Sequence, residues 1–225
     1  MLGRFSVGYE RVCRAVLIAF TINVAAVAHT LLGLVVAGLF PSIGAMCGLW
    51  RTWLLEPSDR AWSVRETWIR FHREWKAQLK SANQLGWPMA VLWGLFLYDY
   101  WIVNWHDAGM FGYACAGILL MVIVIYGLFS MLVWVVRANF AETNRWCVRM
   151  ALQMLLTRPL CSLALFAVFV LSVAMWVRWP GMLVVFGLSL PMLAGTACVY
   201  WFGRLPGMDV RDSESYRRHH AVTAR

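Results

Sequence analysis

The sequence predicts an all-α membrane protein, a polytopic bundle of five to six transmembrane helices with a basic amphipathic helix at the membrane interface. Its 225 residues are 61% hydrophobic and only 14% charged, whereas soluble domains carry roughly 25% charged residues. Several apolar runs reach the length of about 20 residues that a membrane crossing requires. Because the gaps between these runs are too short for a soluble fold, residues 1–205 are predicted to form one membrane-embedded domain.

The first predicted span covers residues 15–40 and follows Arg4, Arg11 and Arg14. Its apolar run exceeds the core of a signal peptide, which is about 7–15 residues long, so we interpret it as a retained anchor.

A shorter apolar stretch follows at residues 42–55, directly after Pro41. Proline suits the first turn of a helix, where its missing N–H costs nothing. The stretch is therefore predicted to be a separate helix, either a short sixth span or a re-entrant helix. Gly44 and Gly48 form a G-x-x-x-G pair, which allows the backbones of two helices to approach closely.

An amphipathic helix is predicted over residues 62–80. Its apolar side chains recur at helical spacing on one stripe, and they are Val64, Trp68, Phe71, Trp75 and Leu79. The basic side chains on the adjoining face are Arg65, Arg73, Lys76 and Lys80. This pattern is typical of a helix lying in the cytoplasmic interface; docking on a cytoplasmic partner is the alternative. Asn83 and Gly86 follow, where a turn into the next span is expected.

The remaining predicted spans are residues 85–103, 110–136, 161–177 and 182–202, and residues 206–225 are predicted to be a disordered cytoplasmic tail. Positive charge alternates between the gaps. Residues 51–80 contain seven Lys and Arg, whereas residues 104–109 contain none. The positive-inside rule places the basic gaps and the C-terminus in the cytoplasm. If residues 42–55 return across the membrane, nineteen of the twenty Lys and Arg residues lie inside.

Arg145 and Arg149 lie in a second basic gap. With the basic face of residues 62–80, they are expected to contact lipid headgroups or a partner protein. The lipid bilayer is thus the first expected partner, and self-association is left open. The net charge of +9 is explained by this topology, and no nucleic-acid-binding module is recognisable.

The sequence contains no recognisable catalytic or metal-binding motif. It contains no phosphate-binding loop, zinc-protease motif or nucleophile elbow, and none of its six cysteines forms a C-x-x-C pair. We therefore expect no metal, no cofactor and no enzymatic activity.

Two groups of polar residues are candidates for substrate binding. Asn23 and His29 lie within the first span, where polar residues are costly. They either hydrogen-bond between helices or line a path, and the first interpretation is favoured. Tyr98, Asp99 and Asp107 lie near the predicted outer edge. They suit contacts to a sugar or a cation, but an ordinary interfacial aromatic belt is the favoured interpretation.

Five short motifs in the first half of the chain resemble those of a known family. They read G-L-F-P-S-I-G-A at residues 38–45, W-R-T-W at 50–53, W-I-R-F at 68–71, A-N-Q-L-G at 82–86 and L-Y-D at 97–99. Together they resemble the YesL-like family of small bacterial membrane proteins, in which the first motif is similar to G-L-F-P-A-T-A-A. Here Ser42, Ile43 and Gly44 replace the usual A-T-A-like run. The second half of the chain matches the family only in its layout.

This resemblance implies a multi-pass protein of the bacterial cytoplasmic membrane with five or six spans. Family members are often encoded beside carbohydrate ABC transporters and glycan-degrading enzymes. The resemblance therefore suggests a non-enzymatic component or accessory subunit of a carbohydrate (oligosaccharide) ABC import system, with permease and ATPase subunits as partners. The alternative is a stand-alone small permease for a sugar or related solute, and a membrane enzyme is the least favoured hypothesis.

Overall fold

The structure, a computed structural model, describes residues 2–56, 60–105 and 109–203, and the predicted tail at residues 206–225 lies outside them. Helices account for the regular structure of these residues, in agreement with the predicted all-α class. In chain order they are α1 (Leu2–Leu32), α2 (Leu39–Leu55), α3 (Val64–Trp105), α4 (Gly109–Asn139), α5 (Asn144–Thr157), α6 (Pro159–Arg178), α7 (Pro180–Phe186) and α8 (Ser189–Phe202).

Three stretches are long and apolar enough to cross a membrane: Val12–Leu32 within α1, the whole of α4 and the whole of α6. Helices α7 and α8 form a fourth candidate if they are one broken span, bent by 73°. The structure thus supports a multi-pass membrane protein with three or four crossings among the described residues. The other two predicted spans correspond to α2, which has 17 residues, and to the second half of α3.

The first predicted span ends earlier than expected, because α1 stops at Leu32 and the chain turns before α2 begins at Leu39. In this turn Leu34 and Val35 have φ values of 52° and 64°. The Val35 N–H donates to the Thr30 carbonyl at 2.8 Å, which reverses the chain. Pro41 lies in the first turn of α2, as predicted.

The predicted interfacial helix and the span after it belong to one continuous helix. Helix α3 contains 42 residues, which corresponds to about 63 Å at 1.5 Å per residue. Asn83 lies inside it and donates both to the Leu79 carbonyl at 2.7 Å and to the Ala37 carbonyl at 2.9 Å. Asn83, one of the two residues expected to turn the chain, therefore joins α3 to the turn before α2 instead.

The second half of the chain contains one helix and one break that the apolar runs did not predict. Helix α5 begins where the Thr143 side chain accepts a hydrogen bond from the Trp146 N–H, and it buries Cys147. The predicted span at residues 182–202 is divided at Gly187, whose φ is 44°. Glycine tolerates this left-handed conformation because it has no Cβ.

The buried core contains residues of α1, α2, α3, α4, α5, α6 and α8, and the largest share comes from α2 and α4. Phe40 stacks on Trp134 and meets the edge of Trp87, which ties α2 to α4 and α3. By contrast, much of the outward surface is apolar. On α6, for example, Leu163 and Leu171 are 65% and 68% exposed. Such a surface suits contact with lipid, in agreement with the predicted bilayer partner.

Candidate functional site: the basic end of the bundle

Arg137 lies near the C-terminus of α4 and reaches across to α3. Its Nη1 donates to Gln78 Oε1 and its Nη2 to Ser81 Oγ, both at 2.7 Å. Its guanidinium also lies 5.6 Å from the centre of the Trp134 ring. Both hydrogen-bond acceptors are neutral, and no carboxylate of the described residues forms an ion pair with Arg137. The positive charge is therefore held by dipoles and an aromatic ring rather than by an anion.

Asn139, two residues further along α4, connects three helices. Its Oδ1 accepts hydrogen bonds from Arg51 Nε of α2 at 3.2 Å and from the Tyr200 hydroxyl of α8 at 2.5 Å. Its Nδ2 donates to the Val135 carbonyl at 2.8 Å, which fixes the orientation of the amide.

Helix α5 joins through Asn144, whose Nδ2 donates to the Ser81 carbonyl at 3.0 Å. We call this set the basic-end network; its members are Arg51, Gln78, Ser81, Arg137, Asn139, Asn144 and Tyr200. Five helices therefore contribute side chains to this set, whose hydrogen bonds form two groups, one around Arg137 and one around Asn139.

The G-x-x-x-G pair of α2 faces α3 beside this network. A Cβ on Gly44 would collide with Gln78 Oε1 and lie 3.1 Å from Arg137 Nη1. A Cβ on Gly48 would lie 3.5 Å from Glu74 Oε2. The absence of a side chain at Gly44 thus leaves room for the Gln78–Arg137 hydrogen bond.

The cations predicted to contact headgroups or partners are all exposed. They are Arg65, Arg73, Lys76 and Lys80 on α3 and Arg145 and Arg149 on α5. None of them has a hydrogen bond or ion pair with another described residue. Asn144 and Ser81 are the chain neighbours of Arg145 and Lys80. Their hydrogen bond therefore brings the cations of α5 close to those of α3. We call the six cations the basic surface.

His29 lies in an aromatic cluster on the first half of α3. Its Nδ1 is 2.8 Å from the Ala25 carbonyl, and since a carbonyl only accepts, that nitrogen carries the proton. In the neutral ring, its Nε2 then accepts from His72 Nδ1 at 3.0 Å. The Trp68, Phe71 and Trp75 rings lie 5.1–5.3 Å away. These rings, which belong to the apolar stripe of the predicted amphipathic helix, therefore pack against His29 of α1.

Asn23 stabilises the bend between α7 and α8. Its Nδ2 donates to the carbonyls of Val184 and Val185 at 3.0 and 3.1 Å. These acceptors lie at the broken end of α7, where helical hydrogen bonds are lost. Asn23 and His29 thus both form side-chain hydrogen bonds within the bundle.

Tyr98 and Asp99 lie far from this end of the molecule. Asp99 follows His72 by 27 residues in α3, a separation of about 40 Å along the helix axis. Tyr98 is exposed and stacks on Trp101 at 6.1 Å, whereas Asp99 has no hydrogen bond or ion pair in the described chain. Asp107 lies outside the described residues. The structure therefore does not bring Asn23 and His29 together with Asp99.

No group of three or more potential metal ligands occurs among the described residues. All six cysteines are free thiols. On α5, burial raises the pKa of the Cys147 thiol, an effect that the nearby Arg137 guanidinium partly opposes. This thiol is therefore protonated at neutral pH, which makes it a poor nucleophile.

The basic-end network was not predicted. Arg137 and Asn139 follow a long apolar run, as residues that mark the end of a span commonly do. Their partners Gln78 and Tyr200 are separated from them by about 60 positions in the chain. One signal was available: the Gly44–Gly48 pair indicated a helix contact, although it did not identify the polar groups opposite.

Comparison with known protein families gives a match to part of the chain. Residues 19–100 match the sequence model of a family described as a protein of unknown function, DUF624, which is the YesL-like group. The matched segment includes the five motifs of the first half, as well as His29, Arg51 and Gln78, and it ends before α4. No curated protein and no solved structure matches the chain.

Proposed function

We propose that this protein is a non-enzymatic integral membrane component, an accessory subunit of a bacterial carbohydrate (oligosaccharide) ABC import system in the cytoplasmic membrane. The observation that supports this role is the basic surface, whose six cations have no partner among the described residues. The carbohydrate system itself is suggested by the resemblance to the YesL-like group, a family of unknown function.

The basic surface is suited to contact a protein because its scaffold is cross-linked. Ser81 and Asn144 connect α3 to α5, and Arg137 connects α3 to α4. Because the helices that carry these cations are braced, binding has to order only the side chains and not the backbone, so less conformational entropy is lost. The complementary surface would be an acidic face of a permease or ATPase subunit, and anionic headgroups would cover the remaining charge.

The proposed topology keeps five to six crossings with the basic end in the cytoplasm. In the second half of α3, Leu92, Leu95 and Leu97 are 43–52% exposed, as lipid-facing side chains would be. This half would cross outward, and α2 would be a short or re-entrant helix.

A cysteine replacing Lys76 in a cysteine-free variant should react with an impermeant maleimide only after the cells are opened. Labelling in intact cells would place the basic end outside and contradict the topology.

The partner proposal can be tested by affinity purification in mild detergent. Wild-type protein should retain permease or ATPase subunits, and the variant K80E/R145E should lose them because the surface charge is reversed. Arg178, an exposed arginine at the opposite end of α6, offers a matched control. R178E should retain the partners. Equal capture by both variants, or no transporter subunit with wild type, would refute the proposed role.

A stand-alone permease is the second candidate, and the exposed stack of Tyr98 and Trp101 beside Asp99 favours it. Aromatic faces and a carboxylate are groups that bind sugars. The separation of about 40 Å between Asp99 and His72 along α3 argues against a single compact site. Purified protein in liposomes should take up labelled oligosaccharide if this alternative is correct, and D99N should abolish the uptake. Uptake equal to that of empty liposomes would exclude it.

A further inference from the structure

A cavity of about 610 Å³ lies between α1, α2 and the bend that joins α7 to α8. Its α1 wall extends from Asn23 to Leu31, a distance of about 12 Å along the helix axis. None of the described residues that line it is aromatic, although 15% of the chain is. Val27 and Val184 of its walls are 55% and 77% exposed, so the cavity opens onto the apolar outer surface of the bundle.

The side-chain oxygen of Asn23 is a free hydrogen-bond acceptor at this cavity. Because Nδ2 donates to the carbonyls of Val184 and Val185, the orientation of the amide is fixed and Oδ1 can only accept. Oδ1 has no hydrogen-bond partner among the described residues. Asn23 is 4% exposed and lines the cavity. Its Oδ1, unlike Trp62 Nε1, is not fully enclosed, so its remaining accessible surface belongs to the cavity.

Gly187 leaves the room that this oxygen occupies. A Cβ on Gly187 would collide with Asn23 Oδ1, and Gly187 also lines the cavity. The acceptor therefore lies at the wall where α1 meets the bend between α7 and α8. An acceptor in such apolar surroundings is stabilised when a donor reaches it.

We propose that this cavity binds a single aliphatic chain that carries a hydroxyl group, with the hydroxyl donating to Asn23 Oδ1. The volume lies within the range of about 300–1,000 Å³ that is usual for ligand sites. Aliphatic walls suit a flexible chain, whereas a flat ring would gain from aromatic walls. The α1 wall of about 12 Å corresponds to an extended chain of about ten carbons. Water is a poorer occupant, because it needs two to four polar partners and the walls offer mainly carbon.

The test compares two ligands that differ in the hydroxyl proton, 10-fluorodecan-1-ol and its methyl ether, by ¹⁹F NMR with the protein in nanodiscs. Empty nanodiscs correct for partitioning into lipid. The alcohol should bind about 3- to 10-fold more tightly than the ether, which corresponds to one hydrogen bond. Equal affinities, or tighter binding of the ether, would refute the role of the acceptor. No binding of either ligand beyond that of empty nanodiscs would refute the site.

A substitution at Asn23 identifies the acceptor. Asn23→Leu removes Oδ1 at similar volume, so it should abolish the preference for the alcohol. Asn104→Leu makes the same change at an exposed asparagine of α3 outside the cavity, and it should preserve the preference. An equal loss of preference in the two variants would overturn the proposal.

A second pair of variants locates the chain without changing the hydrogen bonds of Asn23 to α7. Val27→Trp fills the cavity and should weaken both ligands. Val170 of α6 is 44% exposed and lies outside the cavity, so Val170→Trp should leave both affinities unchanged. Wild-type affinities in Val27→Trp, or the same weakening in Val170→Trp, would show that the ligands bind elsewhere.

Discussion

The ring of Phe40 in α2 occupies the place where Gly86 in α3 has no side chain. Phe40 is 7% exposed and also stacks on Trp134 of α4. One glycine therefore allows three helices to meet. Gly94, two turns further along α3, has no atom within 4 Å of the position where its Cβ would lie, so it provides a control within the same helix.

Gly86→Ala should destabilise the protein, because the added methyl group cannot share space with the Phe40 ring. Overpacking of this kind costs about 1–3 kcal/mol. Gly94→Ala should be neutral or stabilising by up to about 1 kcal/mol, because alanine favours the helix. Thermal unfolding of both variants in the same detergent measures the difference. Similar melting temperatures for the two variants would show that α2 does not pack against Gly86.

Tyr200→Phe tests the connection between α8 and α4. Removing the hydroxyl leaves Arg51 as the one described donor to Asn139 Oδ1. We expect a loss of about 0.5–1.5 kcal/mol, measured by denaturant titration in mixed micelles. Tyr98→Phe removes a hydroxyl from an exposed residue of α3 and should change stability little. If both substitutions have the same small effect, the Tyr200–Asn139 bond does not contribute to stability.

Arg137→Lys should also destabilise the protein even though it preserves the charge. The guanidinium reaches Gln78 and Ser81 with two separate nitrogens, whereas an ammonium is a single point donor on a shorter group. Loss of one of these bonds corresponds to about 1 kcal/mol. The exposed Arg145 is the matched control, since Arg145→Lys should leave the unfolding midpoint unchanged. A wild-type midpoint for Arg137→Lys would mean that only the charge matters.

The apolar runs were sufficient to predict an all-helical membrane protein, because burial in lipid requires long helical stretches whatever their partners. They did not predict how α3 continues. Asn83 and Gly86 are residue types that often turn a chain, and their use in α3 depends on Ala37 and Phe40 lying opposite. The break at Gly187 was missed for the same reason, since Asn23 supplies the donors that stabilise it from a distant part of the chain.

The candidate site was less predictable than the fold. An exposed cation such as Lys76 follows from amphipathic spacing, because one helix determines its face. Arg137 differs, because its role depends on which helix packs against α4. That pairing is set by three-dimensional contacts such as Gly44 against Gln78, and sequence spacing alone does not specify the partner.

Val35→Gly should stabilise the turn between α1 and α2. Val35 has a φ of 64°, and for a residue with a Cβ the left-handed region costs about 1–2 kcal/mol. Glycine avoids that cost, although its more flexible unfolded state offsets part of the gain. The neighbouring Val36 is also exposed, but it does not have a positive φ. Val36→Gly should therefore lower the melting temperature, whereas Val35→Gly should raise it by about 2–4 °C. If both variants melt below the wild type by the same amount, the strain at Val35 is absent in the membrane-embedded protein.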